Sequence, residues 1–387
     1  MPSRILLHIL ALAVFFVGAT EFMLSAMLAP LAQAFDITPA NASWLVSSYA
    51  LSYAIAAPIF GFLSDRMDRR RLLLVSLVLF AVDGLALTIA PSFGAAIALR
   101  MFGGLASAAL IPTAFALVSD IVPAHRQSAA MGAVMIGMTF GIVAGPVFAG
   151  ILTDAFDWRA PFHVTATGCL VTFIIAQRVI PSQPSRRPAK KPKRLFAWIV
   201  RGSITRPLLA KGLWNGTAVA GFLLAGEVLR LRHGLSVGAV GVSVSAFGLG
   251  LAIGNLGIGP VSRLCRKDDV TLVVALALLI LAVSTFMLAP LPLTGGLVCL
   301  VIWGFALGLA APASTSMLAT RSDADKGQVL AVSESLNNLA ILAVLPIAAT
   351  QLEVAGTASA MIVLGVSLAA SLALTMVDRR FLRLQGS

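Results

Sequence analysis

"PSQPSRRPAKKPKRLF", residues 181–196, is the only long polar stretch in a chain of 387 residues that is 59% hydrophobic and 11% charged. Its Pro, Lys and Arg content disfavours a packed core and a spanning helix alike. Everything around it is apolar. One water-soluble core cannot bury so large a share of hydrophobic side chains, whereas a bilayer crossing needs about 20 of them in a row. Working outward from the polar break, six apolar runs precede it, at about 5–35, 42–64, 72–91, 94–122, 128–152 and 160–180. Six more follow, at about 207–229, 237–262, 270–289, 293–319, 326–352 and 355–377. The predicted fold class is an all-α polytopic membrane protein with twelve transmembrane helices in two pseudo-symmetric six-helix halves, residues 1–180 and 207–387, joined by a basic cytoplasmic linker over 181–206. The first run begins after Arg4 yet extends far past the 7–15-residue core of a secretory signal, so it is expected to stay as a helix.

The net charge of +12 raises the question of nucleic acid, and the placement of the charges answers it. Alternate loops carry Arg66, Arg69, Arg70 and Arg71; Arg126; Arg186, Arg187, Lys190, Lys191, Lys193 and Arg194; Arg263, Arg266 and Lys267; Arg321 and Lys326; and Arg379, Arg380 and Arg383. The intervening loops hold only Arg159, Arg230 and Arg232. The positive-inside rule turns this asymmetry into an orientation with both termini in the cytoplasm, as an even helix count requires. The basic excess is thus a topology signal, with no nucleic-acid partner implied. Anionic lipid would draw the linker onto the cytoplasmic face. Cys169, Cys265 and Cys299 lack any C-x-x-C spacing, and the four histidines lack H-E-x-x-H, so neither disulfide framework nor metal site is indicated.

The two halves echo one another. "GFLSDRMDRRRLLL" (61–74) follows the second run, and "GPVSRLCRKDDVTLV" (259–273) occupies the same place in the second half. Such a six-plus-six repeat about an axis along the membrane normal is a transporter signature. Within the first loop Gly61, Leu63, Asp65, Arg66, Arg69 and Arg70 resemble the G-x-L-a-D-R-x-G-R-R/K loop of the major facilitator superfamily, with Asp68 in place of a glycine. At Asp68 the turn is expected either to differ from the family's or to use the αL tolerance of Asp. Arg100 with Gly103 and Gly104 resembles the pattern of the family's fourth helix. "GIVAGPVFAG" (141–150) resembles its antiporter signature g-x-x-x-G-P-x-x-G-G, with Ala149 for one glycine. "GATEF" (18–22) and "DWRAPF" (157–162) resemble the drug:proton antiporter group that includes sugar-efflux and arabinose-efflux permeases.

The resemblance implies alternating access between the halves. Gly137, Gly141 and Gly145 recur every four residues, as do Ala246, Gly250 and Gly254, and each set lines one helix face on which another backbone can approach closely. In the resembled fold the fifth and eighth helices meet across the halves, so these stripes, with Pro146 and Gly150, are expected to form the surface on which the halves rock. In the family the aspartate matching Asp65 caps a helix of the other half. Arg66 or Arg69 would pair with Asp120 to lock a cytoplasmic gate.

A charge at mid-bilayer costs about 2.5–3.5 kcal/mol on insertion scales, so an intramembrane acid is protonated, paired or beside water. Glu21 lies deep in the first run, on a helix that lines the central cavity of the resembled fold, and is the expected proton carrier opposite Arg100. Glu334, with Asn337 and Asn338 one turn on, is the second candidate for coupling or substrate binding. Glu227, beside Arg230 and Arg232, is either a substrate contact or an interfacial ion pair. Asp83 has no account at this level. Tyr49, Tyr53, Trp214, Asn215, Phe222 and Trp303 complete the expected cavity, where aromatic rings suit amphipathic ligands or stacked sugars.

The function these readings predict is proton-coupled export of a small molecule such as a drug, sugar or metabolite across a bacterial inner membrane by a monomer. No cofactor is expected: the sequence lacks G-x-x-x-x-G-K-[S/T], leaving the proton gradient as the energy source. The rivals are a proton symporter importing a sugar or organic acid, and a non-transporting membrane sensor. An enzyme is disfavoured by the lack of paired catalytic aspartates, a metal motif or a triad.

Overall fold

The computed structural model describes residues 2–63, 68–180, 197–265, 268–322 and 325–385. Among these, eleven helices are long and apolar enough to cross a membrane. The first crossing joins α1 (Pro2–Phe22) to α2 (Leu24–Ala34) through Met23, which keeps helical angles and whose N–H still reaches Ala19 O at 2.9 Å. In the second, α3 (Pro39–Ala42) runs through Ser43 into α4 (Trp44–Leu63). Its start is set by Thr38, whose hydroxyl accepts from Asn41 N, followed by Pro39 at the first helical position. Then come α5 (Arg69–Thr88), α6 (Phe93–Ile121), α7 (Gln127–Ala155) and α8 (Ala160–Val179).

After residue 196 follow α9 (Gly202–His233), α10 (Val237–Cys265), α11 (Asp268–Leu288), α12 (Leu293–Ser322) and α13 (Lys326–Gln385). The 60 residues of α13 would measure about 90 Å as one rod, against about 30 Å of hydrocarbon. It is two crossings that meet at Gly356, whose φ of 80° and ψ of −173° leave the helix, a backbone setting that favours glycine. Counting both arms brings the crossings to twelve. The number is even, so residues 2 and 385 share one side, the termini face; the other is the far face.

Three sequence expectations change here. The segment assigned to the linker is structured from residue 197: a short turn (Ala197–Val200) buries Trp198 against Ile204, Leu208, Leu318 and Val329, and α9 begins at Gly202, so apolar anchoring starts before residue 207. Of the two expectations for Asp68, the differing turn is the one found, and the left-handed conformation is not used. Its backbone is extended (φ −63°, ψ 109°), and its carboxylate accepts from the N–H groups of Arg70 (2.9 Å) and Arg71 (3.2 Å), capping α5.

The third change concerns the glycine stripes, which are seams inside each set of six. Gly137, Gly141 and Gly145 face α1, where an added Cβ would strike the backbone of Ala11, Phe15 and Ala19. Gly250 and Gly254 face α12 at Val301 and Phe305 in the same way. A small-residue repeat marks a face that can be approached closely, but not which helix approaches it. The adjacent face of α7 is the one that meets α10: Pro146 O lies against Gly241, Gly150 against Val237 and Gly238, and Val143 against Gly248. Of the α7 residues predicted for the rocking surface, Pro146 and Gly150 are there, while Gly137, Gly141 and Gly145 pack on α1.

The two sets close on each other at the far face. Gly226 of α9 lies against Ser25 O of α2, and the C-terminal half of α7 runs along the N-terminal half of α10.

Candidate functional site

The site is built from charges that a bilayer should exclude. Asp83 on α5 and Arg100 on α6 are each only 1% exposed, and Arg100 Nη1 lies 3.2 Å from Asp83 Oδ2. This pair supplies the account that sequence could not give for Asp83. It also explains the glycines after Arg100: a Cβ at Gly103 would run into the Asp83 carboxylate, and one at Gly104 would run into Tyr49 O and Ser52 of α4. The guanidinium lies over the Tyr49 ring, 4.6 Å from its centroid. Tyr49 in turn donates its hydroxyl hydrogen to Glu21 Oε1 at 2.7 Å. Four groups from four helices thus form a continuous line: Asp83, Arg100, Tyr49 and Glu21. Glu21 is partly exposed, and Tyr53 packs one turn from Tyr49 with ring centroids 6.2 Å apart.

The second set answers from across the interface. Glu334 on α13 has 51% of its side chain exposed and is near enough to act electrostatically on Glu21 and Tyr53. Asn337 Nδ2 donates to its Oε2 at 3.2 Å, and Asn338 Nδ2 donates to its backbone oxygen at 3.0 Å. Lys211 on α9, its side chain 4% exposed, stands 3.9 Å from Glu334 Oε1 and donates to Thr315 Oγ1 of α12 at 2.9 Å. Lys211 and Thr315 were not predicted. Lysine inside an apolar run was a readable signal; Thr315 gave none.

Other expected residues fall elsewhere. Trp214, Phe222 and Trp303 are fully buried, so they are packing groups and not exposed cavity lining. Trp303 packs edge-on against Phe247 (6.1 Å) and Phe286 (6.0 Å). Phe222 stacks on Phe247 at 4.2 Å and meets Phe22 at 5.6 Å, so an aromatic cluster seals the sets together one residue beyond Glu21. Asn215 is half-buried on α9. Glu227 is an ion pair with Arg230 at 2.6 Å, three residues on in the same helix.

The gating residues lie at the two faces. At the termini face Arg69 Nη1 meets Asp120 Oδ1 at 2.6 Å and also donates to Ala116 O at 2.9 Å. Both partners belong to the first set. Gly61 falls in the last turn of α4, while Asp65 and Arg66 lie outside the described residues. At the far face two unpredicted acids reach across. Asp154, near the end of α7, accepts from Ser236 Oγ (2.7 Å) and Gly238 N (2.8 Å) at the start of α10. Glu353 of α13 accepts from Ala40 N (3.2 Å) at the start of the second crossing.

A line of ionisable groups inside one six-helix set, ending near Glu334 and Lys211 of the other, suits a carrier, and a family model for the Major Facilitator Superfamily matches residues 10–343. The chain belongs to the Major Facilitator Superfamily. It is a multi-pass membrane transporter rather than an enzyme. The chain is 26% identical over 350 residues to the MFS-type transporter YbcL of Bacillus subtilis, covering 87% of this chain and 85% of that one. It is 28% identical over 277 residues to a chloramphenicol resistance protein of Streptomyces lividans, covering 71% and 70%. Among solved structures, an inward-facing, occupied bacterial homologue of the human lysosomal transporter Spinster superposes with a TM-score of 0.75 at 17% identity, over 99% of this chain and 97% of that one. The nucleoside transporter NupG (D323A mutant) superposes with a TM-score of 0.77 at 11% identity, over 97% and 99%. At these identities the superpositions speak for the fold alone.

Proposed function

We propose that this superfamily member is a proton-coupled exporter of small molecules in a bacterial inner membrane, working as a monomer of two six-helix domains by alternating access. The observation that carries the reading is the line Asp83–Arg100–Tyr49–Glu21, which ends on a partly exposed carboxyl within electrostatic reach of Glu334 of the other set. An acid maintained in a bilayer at that cost has a role in transport, and a carboxyl that takes a proton on one side and exchanges it for substrate on the other is the simplest. The loop charges orient the termini face to the cytoplasm. With that orientation the aromatic cluster of Phe22, Phe222 and Phe247 lies on the outer side of Glu21. The chloramphenicol resistance relative supports export over uptake.

The test is reconstitution in liposomes with an internal pH dye, using chloramphenicol and a panel of amphipathic compounds. Substrate-evoked proton movement against the substrate supports antiport, and movement with it makes the protein a symporter. Glu21→Gln should abolish uphill transport while leaving downhill exchange. Uphill transport that survives the substitution removes Glu21 from the mechanism.

A further inference from the structure

Where α7 and α10 meet at the far face, an open groove of about 580 Å³ runs along their seam. Its walls are apolar: Ile151 and Ala155 come from the first set, Ala239 and Val242 from the second. Ile151 is 50% exposed and Val242 53%, so the groove opens sideways onto lipid. Two polar groups interrupt this lining. Asp154 sits at the mouth, one residue before the end of α7, and takes both of its bonds, from Ser236 Oγ and Gly238 N, on Oδ2. Its Oδ1 has no hydrogen-bond partner among the described residues. Ser243 is only 7% exposed and lies five residues beyond Gly238 on α10, about 7.5 Å deeper in the membrane. Its hydroxyl likewise has no partner among the described residues, where a nearly buried hydroxyl ordinarily has one.

Resting on the alternating-access reading, we propose that this groove binds a phospholipid with a primary-amine headgroup, phosphatidylethanolamine, from the far-face leaflet, and that the bound lipid holds the far face closed. The order of the polar groups selects a lipid. An ammonium at the mouth donates to Asp154 Oδ1, an ester carbonyl one headgroup deeper accepts from Ser243, and an acyl chain lies along Ile151 and Val242. Charge selects the headgroup: the carboxylate repels one of net negative charge, and a trimethylated ammonium has no N–H for a charge-assisted bond. The volume falls within the range of about 300–1,000 Å³ usual for ligand sites, enough for a headgroup and the upper part of one chain. Because its walls come from opposite sets, the groove exists only while α7 and α10 lie together. A guest that binds one state and not the other shifts the population by that difference in affinity. The groove shares no residue with the line from Asp83 to Glu21, so the lipid regulates the cycle without entering it.

The experiment uses the full chain. Native mass spectrometry in detergent measures binding of phosphatidylethanolamine, phosphatidylcholine and phosphatidylglycerol with matched acyl chains. Spin labels across α7 and α10 report the far-face separation in phosphatidylglycerol nanodiscs that also contain phosphatidylethanolamine or phosphatidylcholine. Phosphatidylethanolamine should bind about ten-fold more tightly than the other two, and its nanodiscs should give the shorter distances. Ala239→Phe fills the groove and leaves Asp154 in place; it should weaken binding about ten-fold and erase the distance difference between the lipids. Ser243→Ala removes only the hydroxyl and should weaken binding several-fold. Equal binding of the three lipids overturns the proposal. So does a distance difference that survives in monodisperse Ala239→Phe, because a response to bilayer packing alone would persist there. Distances that ignore the lipid but lengthen in Asp154→Asn with Glu353→Gln also overturn it while leaving alternating access standing; distances that move under none of these changes remove the alternating-access reading itself.

Discussion

Arg100 and Asp83 show what a buried charge pair is worth. Bringing two ions into the membrane interior is costly, and their attraction offsets that cost only while both are present. Arg100→Ala should therefore destabilise by about 3–5 kcal/mol, because it strands the Asp83 carboxylate. The double variant with Asp83→Ala should lose much less than the sum of the two singles, which thermal unfolding in detergent can measure. Gly103→Ala should cost about 1–3 kcal/mol by pushing a methyl group into the same carboxylate. Residues of this kind were legible because an ionisable side chain in an apolar run is a signal in itself: Glu21, Asp83, Glu227 and Glu334 stood out on that ground, and Arg100 through the family pattern its helix resembles. Lys211 carries the same signal but sits four residues after the predicted helix start at 207, where a lysine reads as interfacial. The aromatic residues were not legible in this way. Whether Trp303 faces a cavity or packs on Phe286 depends on rotation about the helix axis, and an all-round apolar helix carries no polar stripe to fix it.

At the scale of elements, closure of the far face has a reciprocal construction. Asp154 of the first set holds the start of α10 in the second, and Glu353 of the second holds the start of the second crossing in the first. A carboxylate at a helix start gains both the unpaired N–H groups and the positive end of the dipole. Charge-assisted bonds of this type contribute about 1.5–3 kcal/mol each. Asp154→Asn should thus shift the population toward the state open at the far face, and Glu353→Gln should add to it. Spin labels placed across α7 and α10 should report longer distances; an unchanged distribution in the double variant would remove the latch. The glycine seams show the limit of sequence here. Period four identified close-packing faces on α7 and α10, but backbone approach to α1 and α12 inside each set uses the same residues that a moving interface would.

At the scale of the whole molecule, the crossings were the most legible feature, since hydrocarbon thickness sets their length and unsatisfied backbone groups forbid anything but a helix. The predicted break between 352 and 355 and the observed one at Gly356 differ only because α13 is kinked there rather than interrupted by a polar loop. Orientation is a separate matter, because it is fixed by loop charges and not by packing. The basic loops at 69–71, 126 and 321–326 all join crossings on the termini face, and only Arg159, Arg230 and Arg232 oppose them. If that imbalance sets topology, a fluorescent protein fused after Ser387 should mature in the cytoplasm. In a background without the native cysteines, Pro290→Cys, in the exposed loop between α11 and α12, should react with an impermeant maleimide added outside intact cells. Labelling that requires broken cells would reverse the assignment. The aromatic closure at Phe22 and Phe222 would then face the cytoplasm, and the proton at Glu21 would enter from the opposite side.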